Sequence, residues 1–312
     1  MNAKPLLEDL RLFCVVVRNR SFAASARELG VSKAVVSKRI AMLEEALATR
    51  LLHRTTRSVA LTGQGEIVHQ WAQRILDDVD QMAEALSQER AAPSGLLRLC
   101  SSSGFGRNRL APALSALARR YPALEIQVEM LDRPVDLVGE GFQLDIRVGA
   151  VVEGNVISRR IARNARALCA APAYLAQRGM PQRLADLAQH DCIVIRERDQ
   201  DFGRWTLRGP QGAETVKVGG PLSANNGEIV RQWAIAGHGI ILRSLWDVAG
   251  DLRDGTLRRI LPEYSQEADV WAVYPSRLST SAKVRVCVEF LEEWFDRMGM
   301  NADQDASAAA TS

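Results

Sequence analysis

This chain of 312 residues is short of the features that mark many other classes of protein. It has no apolar run near the ~20 residues a membrane span needs. Its first residues hold no apolar core of a signal peptide. The five cysteines (Cys14, Cys100, Cys169, Cys192, Cys287) are scattered without a CxxC pair, which argues against a disulfide framework or a zinc site. Histidines number four and stand apart. HExxH, GxSxG, Walker loops and spaced metal ligands are all missing. The expectation is a cytoplasmic, membrane-free protein with no cofactor, no metal and no catalytic residue.

What is present is ordinary in amount and uneven in placement. Hydrophobic residues make up 47% and charged residues 25%, and the length allows two or three domains with cores of their own. Net charge is +3, yet residues 1–62 carry 11 Lys and Arg against 5 Asp and Glu, and the remainder carries 29 against 32. A basic module meeting a polyanion, joined to a module with another task, gives that imbalance.

The basic module has a readable order. Leu7, Leu10, Phe13, Val16 and Val17 repeat at helical spacing. Ser21 can cap a second helix, Gly30 can end it, and Ser32 can cap a third. Along the third, Val36, Ile40, Leu43 and Leu47 form the buried stripe, while Lys33, Ala34, Ser37 and Lys38 lie elsewhere around its first turns. This is a helix-turn-helix whose recognition helix presents its N-terminal end to a major groove. Lysine reaches guanine edges there, and serine bonds several bases. The bland alternative for Lys33, Lys38 and Arg39 is a solvated helix face. Arg50 to Leu61 tips the balance, because it reads as a hairpin carrying Arg54, Thr55 and Arg57 near its turn, a basic wing suited to phosphates. The expected DNA-contacting set is Ser32, Lys33, Ala34, Ser37, Lys38, Arg39, Arg54, Thr55 and Arg57.

Here the pattern resembles a known family. The run F-x(7)-S-F-x-A-x-A-x-x-L-G-V-S-x-x-x-V-S-x-x-I-x-x-L-E from Phe13 to Glu44, then R-L-L-H-R-T-T-R from Arg50 and L-T-x-x-G from Leu61, is similar to LysR-type transcriptional regulators. Lys33, Ala34 and Val35 depart from the family's usual Gln, Pro or Ser, and Ala, and Gly63 stands where the family usually has Glu.

From Thr62 to about Arg90 one long helical pattern follows. Val68, Ile75 and Met82 repeat every seven residues, as do Ala72, Val79 and Leu86, an a/d seam for a dimer helix. Ile67 and Trp71 beside it are expected to anchor the helix to the winged module. The alternative is a helix packed only on its own domain. A dimer presents two recognition helices and implies an interrupted palindromic promoter site. The resemblance implies dimerisation through this helix, with homotetramers as dimers of dimers.

Ala91 to Gly95 is a hinge by composition. Beyond it strands (96–100, 125–131, 144–148) alternate with helices (110–120, and a short one over 135–139), which implies a parallel sheet with helices on its faces and its ligand site beyond the strand ends. Ser102, Ser103 and Gly104 follow the first strand, and Arg133 follows the second, where it can meet a carboxylate. Turn capping and a surface salt bridge are the bland alternatives. Farther on come a helix from Ala171, a strand over 191–195, a strand entering a helix at Asn225 and Asn226, a turn and strand from Gly237, a last strand over 270–274 and a last helix over 283–295.

The phrases D-R-x-V-D-L-V-x-E-G-F-x-L-D-I-R-x-G from Asp132, A-P-A-Y-L from Ala171 and A-N-N-G-E from Ala224 resemble the effector domain of the same family. That likeness implies two α/β lobes around a cleft, as in a small periplasmic binding protein. Lobe one would span 96–167 plus 269–296, and lobe two 168–268, within a domain of 91–298. Ser102, Ser103, Gly104, Phe105 and Arg133 would line the cleft from lobe one, and Phe202, Trp205, Asn225, Asn226 and His238 from lobe two. Core packing for the aromatics and ordinary capping for the asparagines are the competing readings. Residues 299–312 read as a disordered tail.

Three functions compete. An effector-responsive DNA-binding regulator, taking double-stranded DNA and a small, anionic metabolite as partners, accounts for every module. An enzyme lacks any nucleophile beside a base. A constitutive or architectural DNA binder leaves the two-lobed region idle.

Overall fold

The computed structural model describes residues 6–54, 59–86, 93–150, 156–196, 202–278 and 281–301. Thr55, Arg57, residues 87–92 and residues 302–312 lie outside the described residues, as do the side chains of Arg54 and Leu86. Residues 299–301, expected in the disordered tail, are instead packed: Met300 is buried in the core and Asn301 Oδ1 accepts the Arg163 N–H at 2.9 Å. The chain divides into two compact units, Met1–Ala91 and Ala92–Ser312.

The first unit opens with α1 (Leu7–Asn19), α2 (Phe22–Glu28) and α3 (Lys33–Ala46). Ser21 accepts the Ala24 N–H at 3.3 Å and Ser32 accepts the Val35 N–H at 3.3 Å, so both expected serine caps form. Gly30 takes φ +65°, which lets the Val31 N–H return to the Ala26 carbonyl at 3.0 Å and close α2. Phe13, Val16, Val36, Ile40, Leu43 and Leu51 build one core. The wing follows as β1 (Leu52–Arg54) antiparallel to β2 (Val59–Leu61), with Leu52 opposite Leu61.

The long helix is α4 (Gly63–Leu86). Thr62 caps it, since its hydroxyl accepts the Gly65 N–H at 2.9 Å and donates to the Arg50 carbonyl at 2.7 Å. The face assignment differs from expectation. Ala72 is fully buried in the unit's own core and Val68 packs beside it, whereas Ile67, Trp71, Ile75 and Met82 are exposed. The anchoring column is therefore 68 and 72, and Ile67 and Trp71 lie on the open side. The reason is α1: Phe13 belongs to that core and meets His69 of α4 edge-on at 6.1 Å.

In the second unit, β3 (Gly95–Ser101), β4 (Leu124–Met130), β5 (Leu144–Val148), β6 (Val156–Ala162) and β15 (Val270–Pro275) form one sheet in the order β4-β3-β5-β15-β6. β3 runs parallel to β4 and β5, but β15 is antiparallel to β5 and β6, so the expected parallel sheet is mixed: the chain returns from the second lobe and enters β15 in the opposite direction. The turn α5 (Ser103–Phe105) passes through a π turn into α6 (Ala111–Arg120). Together with α10 (Ala282–Arg297) it covers a core of Leu97, Leu99, Phe105, Leu117, Ile146 and Leu291. Residues 135–139, expected as a short helix, form turns instead. Pro134 starts them, the Asp136 carboxylate accepts the Gly139 N–H at 2.9 Å, and Gly141 at φ +74° ends them.

The chain leaves this sheet at Asn164 and enters β7 (Ala165–Ala170), so the second lobe begins earlier than residue 168. β7 pairs antiparallel with β12 (Ile241–Ser244), β13 (Arg258–Arg259) and β14 (Gln266–Glu267). Around it lie α7 (Pro172–Arg178), the parallel pair β8 (Val194–Ile195) and β11 (Ser223–Ala224), and the hairpin of β9 (Arg204–Gly209) and β10 (Gly212–Lys217). Helices α8 (Gly227–Ile235) and α9 (Leu245–Asp254) complete the lobe. At the crossing, Asn164 donates to Ser244 Oγ at 3.0 Å and to the Ala268 carbonyl at 2.8 Å, and its N–H donates to Asp269 at 2.9 Å. Both connecting strands are thereby tied at one point. Among the described residues no helix is long and apolar enough to cross a membrane.

Candidate nucleic-acid interface and effector crevice

The first turns of α3 present Ser32, Lys33, Ala34 and Lys38 to solvent, with Ser37 half-buried. The Ser32 hydroxyl is already engaged as the cap, which leaves Lys33, Ala34, Ser37 and Lys38 as the open edge. Arg39 departs from expectation. Its guanidinium bonds Glu8 at 2.8 Å and pairs with Asp9 at 3.2 Å, and Glu8 foremost, then Asp9, raises its pKa above the ordinary value. Arg39 thus fastens α3 to α1 inside the unit. Glu44, which the sequence showed only as a motif letter, is buried and accepts the N–H groups of Leu51 at 2.9 Å and Leu52 at 3.3 Å. A carboxylate on α3 therefore fixes where the wing begins.

In the second unit the structure brings some expected residues together and disperses others. Ser102 and Ser103 are half-buried at the end of β3, and the Ser103 N–H donates to Asp132 Oδ1 at 2.8 Å. Asn226 caps α8, its Oδ1 accepting the N–H groups of Glu228 at 3.0 Å and Ile229 at 3.3 Å. Its Nδ2 donates to Asp132 Oδ2 at 3.3 Å. Asn225 and His238 are exposed. Gly104 faces Trp246, whose ring lies 3.8 Å from where a Cβ would stand.

Three residues expected in the cleft are elsewhere. Phe105 is fully buried between Trp246 and Phe295, with ring centroids at 5.4 and 5.5 Å, because it turns into the core under α10 and Trp246 of α9 covers it from the second lobe. Trp205 belongs to the core of the second lobe. Arg133 is turned to the surface, where two nitrogens grip Glu140 at 2.8 and 2.5 Å. That bond, foremost, holds the Glu140 carboxyl below its usual range. Phe202 is exposed under the Arg196 guanidinium, 5.1 Å from the ring centroid.

Residues that reading along the chain missed hold the lobes to each other. Arg107 bonds Glu228 at 2.9 Å, and Arg109 donates to the Trp246 carbonyl at 3.1 Å. Burial alone would raise the Glu228 pKa, but bonds and charge from Gln232, Arg231 and Arg107 outweigh it and the net shift is downward. Among the described residues no cluster of His, Cys, Asp or Glu has the form of a metal site.

A basic helix-turn-helix with a wing, in one chain with a two-lobed α/β unit, defines a DNA-binding protein of the regulator class. The family pattern described as bacterial regulatory helix-turn-helix protein, lysR family, matches residues 7–66, and the LysR substrate binding domain matches residues 90–296. The HTH-type transcriptional regulator DmlR of Escherichia coli (strain K12) is 56% identical over 295 residues, which cover 95% of this chain and 96% of that one. The HTH-type transcriptional activator TtdR of the same strain is 45% identical over 294 residues, 94% of this chain and 95% of that one. Among solved structures, CrgA, a LysR-type transcriptional regulator from Neisseria meningitidis, superposes with a TM-score of 0.57 at 29% identity, covering 92% of this chain and 97% of that one. Full-length AphB, a Vibrio cholerae virulence activator, gives 0.55 at 28% identity, covering 92% and 98%. The chain belongs to the LysR family. It is a transcriptional regulator and not an enzyme, with a DNA-binding and an effector-binding domain.

Proposed function

We propose that this regulator binds an interrupted palindromic promoter site as a homodimer or a dimer of dimers, and that a small, anionic metabolite held between the lobes of its second unit modulates binding. The observation that carries this reading is the meeting of Ser103 N–H from lobe one and Asn226 Nδ2 from lobe two on a single carboxylate, that of Asp132. Donors from both lobes converge there on one anion. A metabolite that favours one lobe arrangement shifts the population toward it, and DNA affinity follows. Paired recognition helices set the half-site spacing, and the exposed stripe of α4 supports pairing.

Footprinting and salt-titrated DNA binding, with and without a panel of small metabolites, test the reading. Lys33→Ala relaxes sequence preference, at a cost of about 1–3 kcal/mol at one base pair. Arg54→Ala weakens all sequences and lowers the salt slope by about 1. Unchanged binding by both variants would place the groove contacts elsewhere. A metabolite panel that leaves both DNA affinity and melting temperature unmoved would remove the effector.

A further inference from the structure

Glu44 stands on α3 with its carboxylate buried, yet the groups it serves lie beyond the end of that helix. Its Oε1 accepts the N–H groups of Leu51 at 2.9 Å and Leu52 at 3.3 Å, the residues that open the wing. The Leu51 carbonyl in turn accepts the Thr62 N–H at 3.0 Å. The Thr62 hydroxyl, bonded to the Arg50 carbonyl, caps α4. Leu51 is therefore shared by the recognition helix, the wing and the long helix. The joint between α3 and the wing is also strained, because Ala48 takes φ +50°, a left-handed conformation that favours glycine. Such a residue persists only where its surroundings fix it, and the Glu44 bonds fix the far side of this joint.

We propose that Glu44 is a positioning residue for DNA binding, which sets the wing in register with the recognition helix so that phosphate grip and base readout occur together. It is buried and acts through Leu51 and Leu52, without touching DNA itself. The proposal rests on the reading of Arg54 as a phosphate contact. Arg54 lies two residues past Leu52, on the strand that the Glu44 bonds start, and pairs there with Val59 of β2. Phosphate contacts position a protein on the duplex, so an error in the angle of the wing is felt there first. A wing released from Glu44 pivots about residues 47–50, and Arg54 then samples many positions instead of one.

A double-mutant cycle tests this, read as the salt dependence with which the full chain binds a random-sequence duplex of about 30 base pairs. Glu44→Met keeps length and bulk but removes both acceptor oxygens. It lowers the salt slope by about 1, the change expected of Arg54→Ala, and adding Arg54→Ala to it lowers the slope no further. Glu44→Gln keeps an Oε1 acceptor for Leu51 and Leu52 and holds the parent slope. A Glu44 that only stabilised the fold would lower the melting temperature and leave the slope alone. A parent slope in folded Glu44→Met therefore overturns the proposal, and so does an additive loss on combining it with Arg54→Ala. Should Glu44→Met fail to fold, Thr62→Val loosens the same joint from the α4 side, and additivity with Arg54→Ala there overturns the proposal equally. If Arg54→Ala leaves the parent slope untouched while Glu44→Met lowers it, the Arg54 reading falls and the positioning role stands.

Discussion

Gly65 shows how much one missing methyl group can decide. It lies in the first turn of α4, where glycine to alanine ordinarily gains about 1 kcal/mol of helix stability. At this position a Cβ would stand 2.0 Å from the Leu51 carbonyl oxygen, part of the backbone that leads into the wing. Backbone cannot yield as a side-chain tip does, so Gly65→Ala lowers the stability of the first unit by about 1–3 kcal/mol, as overpacking usually does. Urea unfolding of the full chain measures this, and a gain in stability would show that α4 can tilt away from the wing. The glycine was legible in the L-T-x-x-G phrase, but its purpose needed the position of Leu51. The thiols carry a second prediction at this scale. Burial pushes Cys169, Cys192 and Cys287 up to about 12. At pH 8 they remain protonated and covered, so iodoacetamide labels them only after unfolding. Mass spectrometry before and after denaturant tests this, and rapid labelling of any one in the native protein contradicts the packing around it.

Among the elements, α4 separates what periodicity can give from what it cannot. Heptad spacing places apolar residues along the helix correctly, yet neighbouring columns 67/71 and 68/72 are both apolar, and only the position of α1 selects the one that anchors. Ala72 is fully buried against that unit's core, while Trp71 is 57% exposed and Ile75 38% exposed. The two columns therefore respond differently to substitution. Ala72→Leu overfills a closed core and destabilises the unit by about 1–3 kcal/mol. Trp71→Glu and Ile75→Glu leave folding intact and weaken self-association by tenfold or more, because they put charge into the exposed apolar stripe. Sedimentation over a range of concentrations reads the second effect. If both variants associate like the parent, the dimer forms on another surface. The same limit explains the aromatics of the second unit. Phe105 and Trp205 sit beside polar turns in sequence, and nothing local tells whether such a ring turns toward a crevice or into a core. Arg133 was recoverable in principle, since Glu140 follows seven residues later across a Pro- and Gly-bounded turn, a spacing suited to a closed surface pair.

At the scale of the whole molecule, the basic module was readable because its signals are local: caps, a glycine turn, a buried stripe and a wing within 65 residues. The second unit hides its site because the contacts that make it are distant. Asp132 and Asn226 are 94 positions apart, and β15 returns from the far end of the chain to pair with β5 and β6. Alternation of strands and helices announced the α/β class without saying which strand ends would face each other. That geometry has a thermodynamic consequence for the proposed regulation. If a carboxylate changes the affinity for promoter DNA by some factor, linkage requires DNA to change the affinity for that carboxylate by the same factor. For a coupling of about 1–3 kcal/mol the factor lies between roughly 5 and 150. Titrating the effective carboxylate into the regulator, alone and saturated with its DNA site, should return the same ratio as titrating DNA with and without the carboxylate. In Asp132→Ala that ratio should fall toward one, because the carboxylate on which donors from both lobes meet is gone. A full coupling ratio in that variant would mean that the signal leaves the crevice by another route, through the Arg107–Glu228 pair or the tied strands at Asn164.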